Sequence, residues 1–590
     1  MKKISLYLIL LFLLWIAHLV NLYIWLKLDA NYLTYDAHRH LLLSLRIFEE
    51  YKRFSPDIFF RCSALTLRHP PLVMMVTAPF YFIFGRSQDA GVLINAAIFS
   101  GILIFAAYKI GTIIHNSKAG IFAVFILMMY PVVFNQLKVY MLDLPLTAIV
   151  SLSIYLLILS DNFKNLKYSL LLLIALISGM LIKGSFIIFL APPLIYVFIK
   201  RLFFYPLSLD TLPHRAHQER RSPIILFFVL TALGILIILC SSYYFSPDVF
   251  IAGIGKGAFM EKFIFFLKRF ACGPGYLQTW PTYAPQGHIL RVIHAAVWYL
   301  WGFINWQVSF LFFIIFFIGA FLSMKHKLLY KDILFVWLIG SFFLLINLAY
   351  GIGINMEVSA VRYSMPLLPA VAIMSAAGIM KIPIKQFRIL LITVTIIFGM
   401  IQFIFVSYPI GVKFRKIEIS LKSDNKSGFF PSSIIIFNPG SWAVSGSDSG
   451  SHPGNFKEEA AICARILNTM ESSRNYKKKI VVTVIPDDTR LWYLQYLTFV
   501  QNKPFDIICD WNYQWLRLMK EEDYGDLILR SDYIIDKEGG WQGEAYMQSN
   551  INMARNYFNL HKKEFYLLKE LRWTDGAAIF IYKRELAKKF

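Results

Sequence analysis

Two carboxylates, Asp36 and Asp143, stand about a hundred positions apart in segments of otherwise different character, NYLTYDAHRHLLLSLRIFEEYKR and QLKVYMLDLPLTAIV. Paired acids suit general-base work on a hydroxyl, or the orienting of a hydroxylic acceptor or a metal ion. Each has a plainer local reading. Asp36 can cap the helix it opens, and Asp143 can cap one with Pro145 just inside. Cations lie on the same side of the chain by the topology derived below: Arg68 and His69 before Pro70-Pro71, Lys138, Lys183 and Arg362. Such a set suits an anionic group of the phosphate type. Lys183 interrupts an apolar stretch and is followed by Gly184, so that a backbone or ligand can approach closely; a snorkelling lysine is the alternative. His38, Arg39, His40, Lys138 and Glu357 are further candidate contacts to an acceptor or metal. Residues two apart on a helix diverge, but Asp36 and His40 share a face and could hold a divalent metal ion. No H-E-x-x-H occurs.

The elements that position these groups must lie in a membrane. Of 590 residues, 57% are hydrophobic and only 16% charged, with a mean hydropathy of +0.56. Ordinary soluble domains are about 45–50% apolar and about 25% charged. Disorder is excluded by the same figures, and five cysteines cannot frame so long a chain. The fold class predicted is a polytopic α-helical membrane protein with a C-terminal soluble α/β domain. Eleven stretches are long enough to span: 4–26, 90–114, 119–137, 143–160, 168–182, 185–199, 222–244, 303–323, 332–350, 363–380 and 389–409. The first opens Met-Lys-Lys like a signal peptide, but no small-residue cleavage site follows, so it reads as an uncleaved helix.

Segment 69–85 is apolar but holds Pro70, Pro71 and Pro79, and reads as interfacial or re-entrant. With it off the span count, the short loops carrying Lys164, Lys167, Arg220, Arg221, Lys381 and Arg388 share the side of the N-terminus, as the positive-inside rule expects of a cytoplasmic face. The N-terminus is then cytoplasmic, the C-terminus periplasmic or extracellular, and the location the cell (inner) membrane. The membrane domain is read as 1–410, with external loops 27–89 and 246–302, and the external domain as 411–590.

In the first external loop Leu41, Leu42, Leu45 and Phe48 form an apolar stripe, while His38, Arg39, Arg46, Glu49 and Arg53 lie elsewhere on the wheel. This predicts an amphipathic helix on the outer surface. In the external domain, strands are predicted at Ser433–Phe437, Ile480–Ile485, Phe505–Cys509, Tyr533–Asp536 and Ala577–Tyr582, and helices near 456–471, 489–501, 513–522 and 552–564. The alternation favours a largely parallel sheet covered on both faces. Neither G-x-G-x-x-G nor G-x-x-x-x-G-K-[ST] occurs, so neither a dinucleotide nor ATP is signalled, and nothing points to nucleic acid. Loop 272–288 with Trp298, Trp301 and Trp306 forms an interfacial aromatic belt or covers a sugar or polyprenyl chain. Cys62, Cys272, Cys463 and Cys509 fall outside, where disulfides are permitted; Cys240 lies within a span.

The order of these features is similar to that of the GT-C superfamily of integral membrane glycosyltransferases, in particular the protein O-mannosyltransferase and lipid A aminoarabinose transferase branch (glycosyltransferase family 39-like). The resemblance rests on Asp36 soon after the first helix, the His69-Pro70-Pro71 turn, the LDLPLT element from Leu142 to Thr147, the Lys183-Gly184 pair, and Arg362-Tyr363 followed by Pro366 and Pro369, and covers residues 1–380. It implies a polyprenyl-phosphate sugar donor taken from among the membrane lipids of the external leaflet, inversion at the anomeric carbon, and a lipid, glycan or protein acceptor. By the same resemblance Asp36 is the first-loop acid and Asp143 the second, both catalytic, and Arg68, His69, Lys183 and Arg362 serve the donor phosphate. The family often has Asp-Glu at the first position, where Ala37 follows Asp36 here.

Topology independently favours a lipid-linked donor, because the cytoplasmic loops are too short for a nucleotide-sugar domain. A transporter or flippase for a lipid-linked or anionic substrate is the competing reading, although transporters bind near the midplane and these charges cluster at outer helix ends. Residues 410–590 hold 26 basic and 22 acidic side chains, so +19 of the net +23 belongs to the membrane part. Orientation accounts for about +13 of that, and the remaining external surplus fits a phosphate-bearing lipid.

Overall fold

The computed structural model describes residues 6–28, 35–53, 70–204, 288–326, 328–352, 358–407, 417–420, 433–437, 456–471, 480–485, 491, 493–501, 503–508, 527–539 and 548–585. The predicted span 222–244 and helix 513–522 lie outside these, as do loop residues 272–287, Cys62, Cys240 and Cys509. The chain divides into two compact units. One comprises Met1–Lys27, Arg46–Phe84 and Asp89–Ser447, and the other Leu28–Leu45, Gly85–Gln88 and Asp448–Phe590.

In the first unit α1 (Leu6–Leu28) is followed by the second half of α2 (Tyr35–Tyr51) and the short helix α3 (Leu72–Phe84), which runs through a 3-10 turn at Ala78–Phe80. At about 1.5 Å per residue α3 falls well short of a hydrocarbon core of roughly 30 Å. Then come α4 (Gln88–Ile114), α5 (Ser117–Met128), α6 (Pro131–Leu137), α7 (Asp143–Leu159), α8 (Leu166–Met180), α9 (Phe186–Phe204), α10 (His288–Gly302) and α11 (Phe310–Lys325). Helix α12 runs from Lys331–Phe335 through a π-helical stretch, Val336–Gly340, into Ser341–Ile352, and after a 3-10 segment, Val358–Leu367, come α13 (Leu368–Met380) and α14 (Lys385–Ser407). Among the described residues four helices are long and apolar enough to cross a membrane, or six if each bent pair is one span.

The bends follow from the sequence. Between α5 and α6 the chain turns by 69° at Tyr130-Pro131, where proline has no N–H to continue the α5 ladder but suits the first position of α6. Lipid-facing surfaces are evident on α1, where Leu6, Phe12, Leu13 and Val20 are exposed, and on α14, where Leu390, Ile397 and Ile404 are exposed. So much contiguous exposed apolar surface needs a hydrocarbon solvent. Within the unit, backbones approach closely at glycines. A Cβ on Gly378 of α13 would lie 2.0 Å from the carbonyl oxygen of Gly319 on α11. Small residues at a helix crossing allow the close backbone contact on which packing in lipid depends.

Strand β1 (Ile417–Ser420) pairs antiparallel with β2 (Ser433–Phe437) as a separate two-stranded sheet within this unit. The predicted strand 433–437 therefore exists but does not join the large sheet.

The second unit is built on a five-stranded sheet in the order β4-β3-β5-β7-β6, with β3 at Ile480–Val484, β4 at Phe505–Ile508, β5 at Tyr533–Glu538, β6 at Phe565–Arg572 and β7 at Ala578–Arg584. One core lies between the sheet and α15 (Phe456–Glu471) with α16 (Tyr493–Val500), and includes Ile466, Leu467, Leu494, Val482 and Ile579. The other lies under α17 (Gln548–Leu560), with Ile551, Phe558, Ile534 and Tyr582. Cys463 is buried in the first core. The expectation of a largely parallel sheet needs correction, because β3 is parallel to β4 and β5, whereas β7 is antiparallel to both β5 and β6. The physical cause is the short connection Trp573–Ala577, with Gly576 at φ 84°, which reverses the chain directly, where a parallel neighbour would need a crossover of a dozen residues or more. Strand β6 was not predicted, because FYLLKELR has no period-two alternation, and a bulge between Leu567 and Lys569 breaks its register.

Candidate active site

Asp143 is the first residue of α7. The cap position is Leu142, which makes no side-chain cap, and Asp143 stands one residue inside the helix. It is 1% exposed, and its two oxygens face cations from two other elements. Lys183 Nζ donates to Oδ1 at 2.7 Å, and Arg362 Nε lies 3.5 Å from Oδ2. Arg362 is 5% exposed and Lys183 24%. A buried carboxylate is tolerable only with such partners. The trio carries two positive charges and one negative, and of the two cations Lys183 retains the greater access to solvent.

Local sequence explains how each member is held. Lys183 sits in the turn between α8 and α9, with its backbone N–H donating to Gly179 O at 3.1 Å. A Cβ at Gly179 would fall 2.3 Å from the Phe186 ring, so only glycine lets that ring fold over the end of α8 and close the turn. Arg362 is presented by the 3-10 segment that precedes Pro366 and Pro369, the latter in the first turn of α13. Tyr363 completes the cluster: its ring centre is 4.7 Å from Lys183 Nζ and 5.3 Å from Arg362 Cζ. An aromatic face attracts both cations and restrains their heads.

Helix α3 is tied to both loops of this cluster. Leu72 N–H donates to Leu181 O at 3.0 Å, beside the Lys183 turn. Thr77 Oγ1 is hydrogen-bonded to Tyr140 Oη, three residues before Asp143, and both side chains are fully buried. Tyr51 Oη donates to Met75 O at 3.1 Å. Lys138 is buried with its ammonium 4.8 Å from the ring centres of both Trp25 and Phe134, which places it in an aromatic sandwich.

The first-loop residues belong to the second unit. Asp36 lies in the first turn of α2 and pairs with Arg39 at 3.6 Å. His38, Arg39 and His40 are all buried, so the predicted polar face of this helix does not lie open to solvent. The helical period of its apolar residues was legible, but burial of three ionisable side chains was not. Among the described residues no three His, Cys, Asp or Glu side chains form a group that could hold a metal ion. Arg68, His69 and Glu357 lie outside the described residues. Thus the structure brings together Asp143, Lys183 and Arg362, and adds Tyr363, which the sequence marked as part of the Arg362-Tyr363 element but not as a site residue. Thr77 and Tyr140 had no signal.

A polytopic helical membrane protein with a buried acid between two cations near the ends of its helices is the class these features define. Residues 68–207, which include Asp143 and Lys183, match the family model described as Dolichyl-phosphate-mannose-protein mannosyltransferase. The fold is similar to that of ArnT from Cupriavidus metallidurans bound to undecaprenyl phosphate, with a TM-score of 0.54 at 12% identity over 96% of this chain and 97% of that one. For apo ArnT the TM-score is 0.54 at 13% identity, with the same coverage. The apo oligosaccharyltransferase of Archaeoglobus fulgidus gives a TM-score of 0.48 at 12% identity, covering 99% of this chain and 75% of that one. No curated protein matches by sequence. The chain therefore shares the fold of ArnT, and its residues 68–207 match the mannosyltransferase family model.

Proposed function

We propose that the protein transfers a sugar from a polyprenyl-phosphate donor to a hydroxyl of a lipid, glycan or protein acceptor at the outer face of the cell membrane, with inversion. The observation that carries this is the Asp143–Lys183–Arg362 cluster. Its net charge of +1 complements the single negative charge of a phosphodiester-linked sugar. The match of residues 68–207 to a lipid-phosphate mannosyltransferase family, and the similarity to ArnT with its bound undecaprenyl phosphate, support the same donor class.

In the proposed step the acceptor oxygen attacks the anomeric carbon as the bond from that carbon to the phosphate oxygen breaks. The acceptor proton passes to Asp36. Negative charge grows on the departing polyprenyl phosphate, where Lys183 and Arg362 stabilise it, an interaction strongest in a site screened from water. Asp143 has one oxygen on the Lys183 ammonium and the other facing the Arg362 guanidinium. It fits better as the residue that holds Lys183 and Arg362 in place, and this refines the catalytic role read from the sequence. Arg68 and His69 are proposed to assist at the phosphate. The external domain, read as 411–590, is proposed to take part in acceptor selection.

The test is transfer from a radiolabelled polyprenyl-phosphate sugar by the full chain in membranes, comparing the wild type with Asp36→Ala and Lys183→Ala. Both variants should fold and lose transfer. Normal transfer by both would place the chemistry elsewhere, and label crossing the membrane without acceptor modification would indicate a transporter.

A further inference from the structure

The division of the chain into units assigns Leu28–Leu45, and with it Asp36, to the same unit as the α/β sheet, and the boundary falls inside α2 between Leu45 and Arg46. The bonds within that unit show what α16 does there. Gln495 donates from Nε2 to Ile507 O of β4 at 2.8 Å, which fixes the amide with its oxygen turned the other way. That oxygen lies 3.5 Å from Nε2 of His38, which is 1% exposed. Since an amide oxygen only accepts, the His38 ring must carry its proton on Nε2 for this contact to be attractive. The next residue, Tyr496, accepts at Oη from the backbone N–H of Gln88 at 3.1 Å, so the same helix also binds the 85–88 segment. Leu494 and Leu497 anchor α16 in the core beneath the sheet, and the Tyr493 and Tyr496 rings stack at 5.5 Å.

We propose that Gln495 is a positioning residue for Asp36. Strand β4 orients the Gln495 amide, the amide orients His38, and His38 fixes the first turn of α2, in which Asp36 pairs with Arg39. The α/β unit then contributes to where the base carboxylate stands, so that a change in this unit on meeting acceptor reaches the base. This rests on the reading of Asp36 as the base.

The experiment uses the full-length protein reconstituted in nanodiscs, with hydrogen exchange by mass spectrometry and transfer kinetics as functions of pH. Gln495→Met, near in volume but without the acceptor oxygen, is expected to raise exchange in residues 36–45 several-fold. It should lower kcat about tenfold with the donor KM unchanged and shift the acid limb of the pH profile. His38→Gln, which puts an amide N–H donor near the position of Nε2, should retain most turnover, whereas His38→Leu should not. The proposal is overturned if exchange at 36–45 stays at the wild-type level in Gln495→Met, if the pH profile and kcat do not move, or if His38→Leu and His38→Gln behave alike. Asp36→Asn separates the two readings. Wild-type transfer by that variant removes Asp36 from the chemistry, while the exchange result still decides whether Gln495 holds the helix.

Discussion

The ammonium of Lys183 lies 2.7 Å from Oδ1 of Asp143, and the two side chains come from the turn after α8 and the first residue of α7. The pair is unequal: Asp143 is sealed from solvent and Lys183 is not. That asymmetry leaves the lysine as the member that can meet an incoming anion, while the carboxylate keeps it aimed.

Lys183→Ala should therefore reduce transfer by about a hundredfold or more, the scale of losing one stabilising group at a developing anion. Lys183→Arg, which preserves charge but not the compact ammonium, should recover only part of it. Single-turnover and steady-state rates with a labelled lipid-phosphate sugar measure both. Equal rates for the alanine variant and the wild type would remove Lys183 from the phosphate site.

Asp143→Ala is expected to act on stability as well as on rate. It leaves Arg362 buried without its carboxylate, and breaking a buried pair by deleting one partner costs about 3–5 kcal/mol. Thermal denaturation in detergent should show a clear drop in midpoint. The double variant Asp143→Ala with Arg362→Leu should restore much of the stability without restoring transfer.

Gly378→Ala tests the packing of the membrane unit away from the site. The added methyl would meet the Gly319 backbone at 2.0 Å, which no side-chain rotation relieves. Overpacking of this kind costs typically about 1–3 kcal/mol, and a backbone neighbour puts the expectation at the upper end. Lower midpoint and lower yield of monodisperse protein are the expected outcomes.

Glu564 gives a pH prediction in the second unit. Its hydrogen bonds to His561 first and Arg584 next hold its carboxyl below the ordinary value of 4.5. A depressed carboxyl contributes stability that is present above its unfolded value and is lost as pH falls through the folded one. The group is largely exposed, so screening limits the effect to about 0.5 kcal/mol. Hydrogen exchange across 561–585 should be faster in Glu564→Gln than in the wild type at pH 7, with the difference closing below pH 4.5.

Much of this was legible in the chain itself. Apolar runs located α1, α4 and α14, because a bilayer of set thickness demands them, whereas 119–137, read as one span, is two helices bent by 69° at Pro131. The strands at Ile480 and Phe505 were readable for a similar reason, as short apolar runs that pair side by side in the sheet. Charge inside an apolar context singled out Asp143, Lys183 and Arg362, since burying an ionisable group is costly unless it has a purpose.

What the sequence could not supply is which of those charges meet. Asp143 had a sound local explanation as a helix cap, and only the packing of three separate segments shows that Leu142 occupies that position while the carboxylate serves Lys183 and Arg362. Tertiary structure likewise decided that Asp36, forty residues into a membrane protein, belongs to a unit whose sheet lies more than four hundred residues away. The antiparallel β6–β7 addition was decided there as well. The physical reason is common to all three. Periodicity and composition record how each segment meets its solvent, whereas ion pairs, register and helix crossings depend on distances between segments, which no local pattern encodes.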